Sequence, residues 1–254
     1  MGMNYNSYFL NPYSGKSGSL VFNEFNPEPI DISVQFAKNN RISSNLELTI
    51  EQVLHFMERL EVELNKRYPN GCKLVGVGRS PSLLIELFKA KGYDAQSCAI
   101  SGLSNCEYDI TGHSIYLNKL IPEDVEIYRK YLTEKGLTAD KINASTKPVV
   151  FIDYTRTGET LKKFAQLLAR PEIGIRRNVE FLSINRDLLP DLTALEHKMI
   201  IDLWENCGLK KFSFVPSLDI SQLRNTDRIT KDFKPSQEAL EFLAQAKKVM
   251  FAIK

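Results

Sequence analysis

The chain has 254 residues, of which 43% are hydrophobic and 25% charged, and 33 Lys and Arg stand against 31 Asp and Glu for a formal net charge of +2. This balance excludes a disordered tail, a collagen-like rod and a disulfide-stapled miniprotein. It also lacks the basic excess of a duplex nucleic-acid binder, and the length suits one large domain or one domain with an added cap.

Residues 1–46 are rich in Asn, Ser, Gly, Pro and Tyr, with short strand-like pieces such as Leu20-Val21-Phe22. They read as an irregular N-terminal arm or hood. Residues 47–254 read as an α/β domain with its core over 73–185. Thr49, with Gln52 three residues later, predicts a capping box. Val53, Leu54, Phe56, Met57, Leu60 and Leu64 then recur at helical spacing up to a turn at Tyr68-Pro69-Asn70-Gly71. Lys73–Val77 reads as a strand ending in Gly78, followed by a helix from Pro81 to about Lys91 that Gly92 closes. Ala95–Ile100 is the next expected strand, and 101–120 a polar loop carrying Tyr108, His113, Tyr116 and Lys119. A charged helix is expected over Glu123–Lys135, a strong strand over Pro148–Asp153, and a helix over Gly158–Leu168. Val179–Ile184 reads as a strand, and a mixed segment with Trp204 leads to Lys211–Val215. A C-terminal extension ends in an amphipathic helix over Ser236–Val249. Strands and helices alternating at this spacing predict a Rossmann-like parallel sheet flanked by helices on both faces.

Cys72, Cys98, Cys106 and Cys207 form no CxxC pair, so they read as thiols of a reducing compartment. His55, His113 and His197 are scattered and show no paired zinc-ligand spacing. No run of 18 apolar residues and no signal-peptide layout is present. Met1-Gly2 begins like a myristoylation signal, but Asn6 stands where Ser or Thr is needed. The expectation is a soluble, cytoplasmic protein without a membrane partner. A substrate of a dedicated export machine would share these features.

The stretch Val149-Val150-Phe151-Ile152-Asp153-Tyr154-Thr155-Arg156-Thr157-Gly158-Glu159-Thr160 carries the most chemistry. Its apolar run buries a strand, and Asp153 appears at the strand's C-terminal end, where open α/β sheets bind ligands. Hydroxyl residues and a glycine then open a helix, where free amides and the helix dipole favour an anion. The implied chemistry is a phosphate held by the loop, with Asp153 available for sugar hydroxyls. An ordinary strand-to-helix turn with capping Thr residues is the plain alternative.

This stretch resembles the phosphoribosyl pyrophosphate motif of the type I phosphoribosyltransferase family: an apolar strand, two acids, three variable positions, then Thr-Gly-x-Thr. Thr157-Gly158-Glu159-Thr160 matches the last element and Asp153 the second acid. Ile152 replaces the first acid, and Arg156 stands where purine-specific members often carry an acid. The resemblance implies that Thr155, Arg156, Thr157, Gly158, Glu159 and Thr160 cradle the 5′-phosphate and Asp153 meets the ribose. Leu74-Val75-Gly76-Val77-Gly78-Arg79-Ser80-Pro81 resembles the family's pyrophosphate loop, with Arg79 and the amides around Gly78 and Ser80 as the pyrophosphate contacts. Arg suits that role because its planar fork donates two parallel bonds to phosphate oxygens.

The resemblance covers about residues 73–185. It implies transfer of phosphoribose with release of pyrophosphate, Asp153 and Arg79 as catalytic residues, and Mg²⁺ bound mainly through the substrate's pyrophosphate. Residues 102–120 would form a mobile loop over the site, and residues 1–46 or the segment Trp204 to Phe214 a hood over the base. A small phosphorylated ribose ligand is the expected partner, and homo-oligomerisation is left open. Whether the protein is an enzyme is open too. The same fold supports a non-catalytic nucleotide-sensing or protein-interaction module. Asp153-Tyr154-Thr155-Arg156-Thr157 also resembles the nucleophile motif of haloacid dehalogenase-like phosphatases, but only dispersed acids (Asp187, Asp191, Asp202) follow it.

Overall fold

A computed structural model of the chain describes residues 50–101, 103, 120–154, 158–189, 191, 213–216, 218–223 and 233–252. The chain divides into two units between residues 47 and 48. The expected arm, the loop over 104–119 and Thr49 of the capping box lie outside the described residues.

The first helix, α1 (Ile50–Arg67), buries all six of the periodic apolar residues. Glu51 in its first turn and Lys66 and Arg67 in its last are placed with the helix dipole. Strand β1 (Lys73–Val77) leads to α2 (Ser82–Ala90), then β2 (Ala95–Cys98), α3 (Pro122–Glu134) and α4 (Ala139–Asn143). Strand β3 (Val149–Asp153) is followed by α5 (Glu159–Leu168), β4 (Val179–Ser183) and a wide π-type turn over Ile184–Leu188. The short α6 (Ile220–Leu223) and the C-terminal α7 (Gln237–Ala252) complete the order.

The four strands form one all-parallel sheet in the order β2-β1-β3-β4. All five residues of β3 are buried, as expected of an inner strand covered on both faces. Helices α1, α2 and α7 pack on the face presented by Leu74, Val150, Ile152 and Leu182. Helices α3, α4 and α5 pack on the face presented by Val75, Val77, Val149 and Phe151. There Phe151 meets Phe164 edge-on at 5.2 Å and stacks on Phe181 at 5.2 Å. The alternation of side chains along a strand thus sends neighbouring apolar residues into two separate cores.

The strand expected over Ala95–Ile100 stops at Cys98. The Ala99 N–H leaves the ladder and donates to Tyr131 Oη at 2.8 Å, while Ile100 pairs in parallel with Leu218. Helix α4 has no apolar periodicity to betray it. A polar bracket holds it instead: Asn178, at φ +56°, donates its side-chain amide to the Ile142, Asn143 and Ser145 carbonyls. Asn143 Oδ1 in turn accepts from the Arg176 and Arg177 amides.

Candidate functional site

The connection β1-α2-β2 places α2 on one face of the sheet, and β3-α5-β4 places α5 on the other. Chain direction across the sheet therefore reverses between β1 and β3. In open α/β sheets such a reversal is where the connections of the two strands part and a ligand crevice commonly forms. Register pairs Gly76 with Ile152, so the strand ends that follow, Val77-Gly78 and Asp153-Tyr154, lie side by side at this reversal point.

Of the residues expected to bind, Gly78, Arg79 and Ser80 follow β1, and Asp153, Gly158, Glu159 and Thr160 end β3 or begin α5. The fold brings these two groups to one edge of the sheet. Thr155, Arg156 and Thr157 lie outside the described residues, as do Tyr108, His113, Lys119 and Trp204.

Gly78 (φ +75°) and Gly158 (φ +81°) both adopt the left-handed backbone that lets a strand turn sharply into a helix. They differ in surroundings. A Cβ on Gly78 would lie 3.7 Å from the Ile100 carbonyl oxygen, whereas one on Gly158 would meet no described atom within 4 Å. Gly76, inside β1, has a third role: a Cβ there would come 2.6 Å from Ile85 Cγ1 and 3.0 Å from Pro81 Cγ. Its missing side chain is what lets α2 lie close on β1.

Asp153 is 7% exposed, and its Oδ1 has no hydrogen-bond partner among the described residues. Burial holds its carboxyl well above the usual carboxylate range, opposed only by the hydrogen bond from the Tyr154 amide. Burial therefore favours the protonated form of this carboxyl, and its Oδ1 has acceptor capacity that no described residue uses. Arg79 is half-buried, and none of the ion pairs among the described residues uses its guanidinium. Helix α5 (Glu159–Leu168) has Gly158 at its N-cap, which makes no side-chain cap hydrogen bond. Glu159, half-buried in that first turn, carries the wrong sign for a phosphate, so its contribution there would come from its backbone N–H.

Ile152, in place of the family's first acid, is 1% exposed and packs into the α1–α2–α7 core. Cys98 lies in register with Val77 and is fully buried, with its thiol pushed up to about 12, and it offers no reactive thiolate. Among the described residues, no group of three or more His, Cys, Asp or Glu is placed to hold a metal ion, and no helix is long and apolar enough to cross a membrane. A shallow groove of about 260 Å³ is lined wholly by α1 residues (His55, Glu58, Arg59, Val62, Glu63) and includes none of the expected site residues.

Sequence reasoning missed Ser82 and its bond to Phe214. Ser82 is the first residue of α2 and fully buried, and its Oγ accepts from the Phe214 N–H at 3.0 Å. No local signal could reveal this, because the partners are 132 positions apart. No family model matches the chain, and no curated protein or solved structure matches it either.

Proposed function

We propose that the crevice between β1 and β3 binds a phosphorylated ribose, as in a divergent phosphoribosyltransferase-like protein. The observation that carries this reading is a pairing. Two glycine-turned strand-to-helix loops flank the reversal point of a parallel sheet, and a buried carboxyl whose Oδ1 has no partner among the described residues stands at the start of one of them. Helix N-termini and Arg79 supply positive potential for phosphate oxygens. Asp153 Oδ1 supplies an acceptor for a sugar hydroxyl.

With phosphoribosyl pyrophosphate as donor, a nucleophile would attack ribose C1 as the C1–oxygen bond breaks and pyrophosphate departs with the bonding pair. Arg79 would stabilise the charge growing on that leaving group. The donor set fits Mg²⁺ carried mainly on ligand oxygens, since Asp153 is the one carboxyl at the end of β3. When bound, such an ion would neutralise pyrophosphate charge.

A second reading, binding without transfer, has an observation of its own. Ile152 lies in the core, so the pair of adjacent acids is reduced to one. The loss of one charged hydrogen bond costs about 1.5–3 kcal/mol, enough to weaken a site without abolishing it. A phosphatase reading is less well supported, because only the dispersed acids Asp187, Asp191 and Asp202 follow Asp153 in the sequence.

The test is thermal unfolding with phosphoribosyl pyrophosphate or a nucleoside monophosphate plus Mg²⁺, followed by pyrophosphate release with a panel of bases. At a hundredfold excess over Kd the melting temperature should rise by about 5–10 °C. Arg79→Ala should remove most of that shift. Unchanged melting at millimolar ligand would sink the reading. A shift without pyrophosphate release would select the binding module over the enzyme.

A further inference from the structure

At the opposite end of the sheet, where the strands begin, positive charge gathers. The Lys73 N–H donates to the Pro148 carbonyl at 3.0 Å and the Val149 N–H to the Asn178 carbonyl at 2.8 Å, so the chain is already paired as it enters β1, β3 and β4. Val149 stands in register with Val179. Lys147 and Arg177, each two residues earlier, therefore enter side by side, with Arg176 next along the chain. A Cβ on Gly71 would lie 3.6 Å from Lys147 Nζ, which places that ammonium where the chain enters β1. Lys147, Arg176 and Arg177 are exposed, and none of the ion pairs among the described residues uses them. The stretches 141–149 and 173–179 hold Lys141, Lys147, Arg176 and Arg177 and no acid. Of the acids that border them, Glu172 pairs with Arg170, Glu180 accepts from Tyr68 Oη at 2.6 Å, and Asp140 stands in the first turn of α4. On a chain of net charge +2 this is a local concentration and not a share of a general excess.

The cations stand on a fixed base. Asn143 Oδ1 accepts from the Arg176 and Arg177 amides at 3.3 and 3.1 Å, and the Asn178 amide group fastens the Ile142, Asn143 and Ser145 carbonyls to the same loop. Ser145 Oγ accepts from the Lys147 N–H at 3.1 Å and donates to the Lys147 carbonyl at 2.7 Å. Both arginine amides are thus spent within the protein, and what faces outward is two guanidinium forks and an ammonium. Side chains on a backbone held this way lose less freedom on binding than those on a loose loop. A planar fork is matched by a carboxylate, through two parallel bonds.

We propose that this edge docks an acidic segment of a partner protein, with Arg176 and Arg177 pairing with its carboxylates and Lys147 adding charge beside them. The surroundings favour that partner over other polyanions. The large apolar side chains exposed among the described residues are Val62, Ile121, Leu240 and Phe251, and none belongs to the two basic stretches. Single-stranded nucleic acid is held by aromatic stacking along a basic groove, and membrane surfaces by apolar insertion or by clusters of about 4–8 basic residues. Carboxylate pairing needs neither stacking nor insertion, only charge and the forks.

Fluorescence anisotropy of the full chain with a labelled peptide of alternating Glu and Gly tests the proposal, alongside a single-stranded oligonucleotide and vesicles of phosphatidylserine and phosphatidylcholine. The peptide should bind at low ionic strength and weaken as salt is raised. Arg176→Gln combined with Arg177→Gln should weaken it about tenfold or more, and Arg176→Lys combined with Arg177→Lys by less, because charge stays and the forks go. Arg129→Gln removes an exposed charge that already pairs with Glu126 on α3, and it should leave the affinity within about twofold of the wild type. All of these side chains are exposed, so folding is preserved. Absence of peptide binding at low salt would overturn the proposal. So would equal weakening by Arg129→Gln and by the double Gln variant, which would reduce the effect to net charge. Tighter binding of the oligonucleotide or the vesicles through the same two arginines would overturn it too and assign the edge to that partner.

Discussion

The two strand-to-helix loops at the crevice share a plan and differ in what shapes them. The loop after β1 is built by packing: Gly76 admits Ile85 and Pro81, and Ser82 is enclosed and bonded to Phe214. The end of β3 is built around polarity left unused. Among the described residues, Asp153 is buried with no partner for its Oδ1, and no atom lies within 4 Å of where a Cβ on Gly158 would stand. A loop held by close contacts is a rigid platform, whereas unsatisfied groups beside open space are where a ligand has something to supply. One half of the site is scaffold. The other half is demand.

Substitutions should break this comparison in order of size. Gly76→Val should be the most damaging, costing about 3 kcal/mol or more in urea unfolding, because the added methyls meet Ile85 and Pro81 with no room to move. A loss below about 1 kcal/mol would mean that α2 does not lie as close to β1 as described.

Asp153→Asn tests the opposite loop through pH. The folded-state pKa of Asp153 is raised above its usual value near 3.8, so the folded protein holds this proton more tightly than the unfolded chain. Its contribution to stability is therefore complete below about pH 4 and is lost as pH rises toward the raised value, with a limiting slope of about 1.4 kcal/mol per pH unit. The Asn variant should match the wild type near pH 4 and become the more stable of the two in alkaline solution, while losing affinity for a phosphorylated ribose. Parallel pH–stability curves for the two proteins would show that the carboxyl is not buried as described.

Gly158→Ala should cost about 1 kcal/mol, the strain of a left-handed backbone with no steric term added. A cost as large as that of Gly76→Val would erase the distinction between the loops. Arg79→Ala should change chemical stability by less than about 0.5 kcal/mol, since its guanidinium joins none of the ion pairs among the described residues. A marked loss of stability would assign Arg79 a structural task.

The charged pair Glu61 and Lys91, joined by the Tyr93 hydroxyl on Glu61 at 2.8 Å, shows how a region far from the strand ends is held. There each polar group finds its complement within the protein, and burial and that bond push the Tyr93 phenol up to about 12. Among the described residues Asp153 Oδ1 lacks such a complement, as do a few other buried polar atoms such as Ser97 Oγ and Gln166 Oε1.

Local chemistry settled a good part of this. Apolar periodicity places α1 and its six buried residues, and the continuous apolar run at Val149–Phe151 marks an inner strand. Gly78, Gly92, Gly136 and Gly158 mark turns because each takes a positive φ that other residues resist. The position of Asp153 at a strand end is also readable, since a lone acid after four apolar residues has no other place in a parallel sheet.

Three features depended on contacts between distant parts of the chain. Helix α4 forms around Asn178, 35 residues beyond its last residue, and β2 ends where Tyr131 captures the Ala99 amide. Ser82 acquires its role only when Phe214 arrives from 132 positions away. Sequence reads what a residue does to its own backbone and its neighbours along a helix or strand. Strand order and the burial that raises the pKa of Asp153 arise from pairings whose partners are set by packing the whole domain, and no local pattern encodes them.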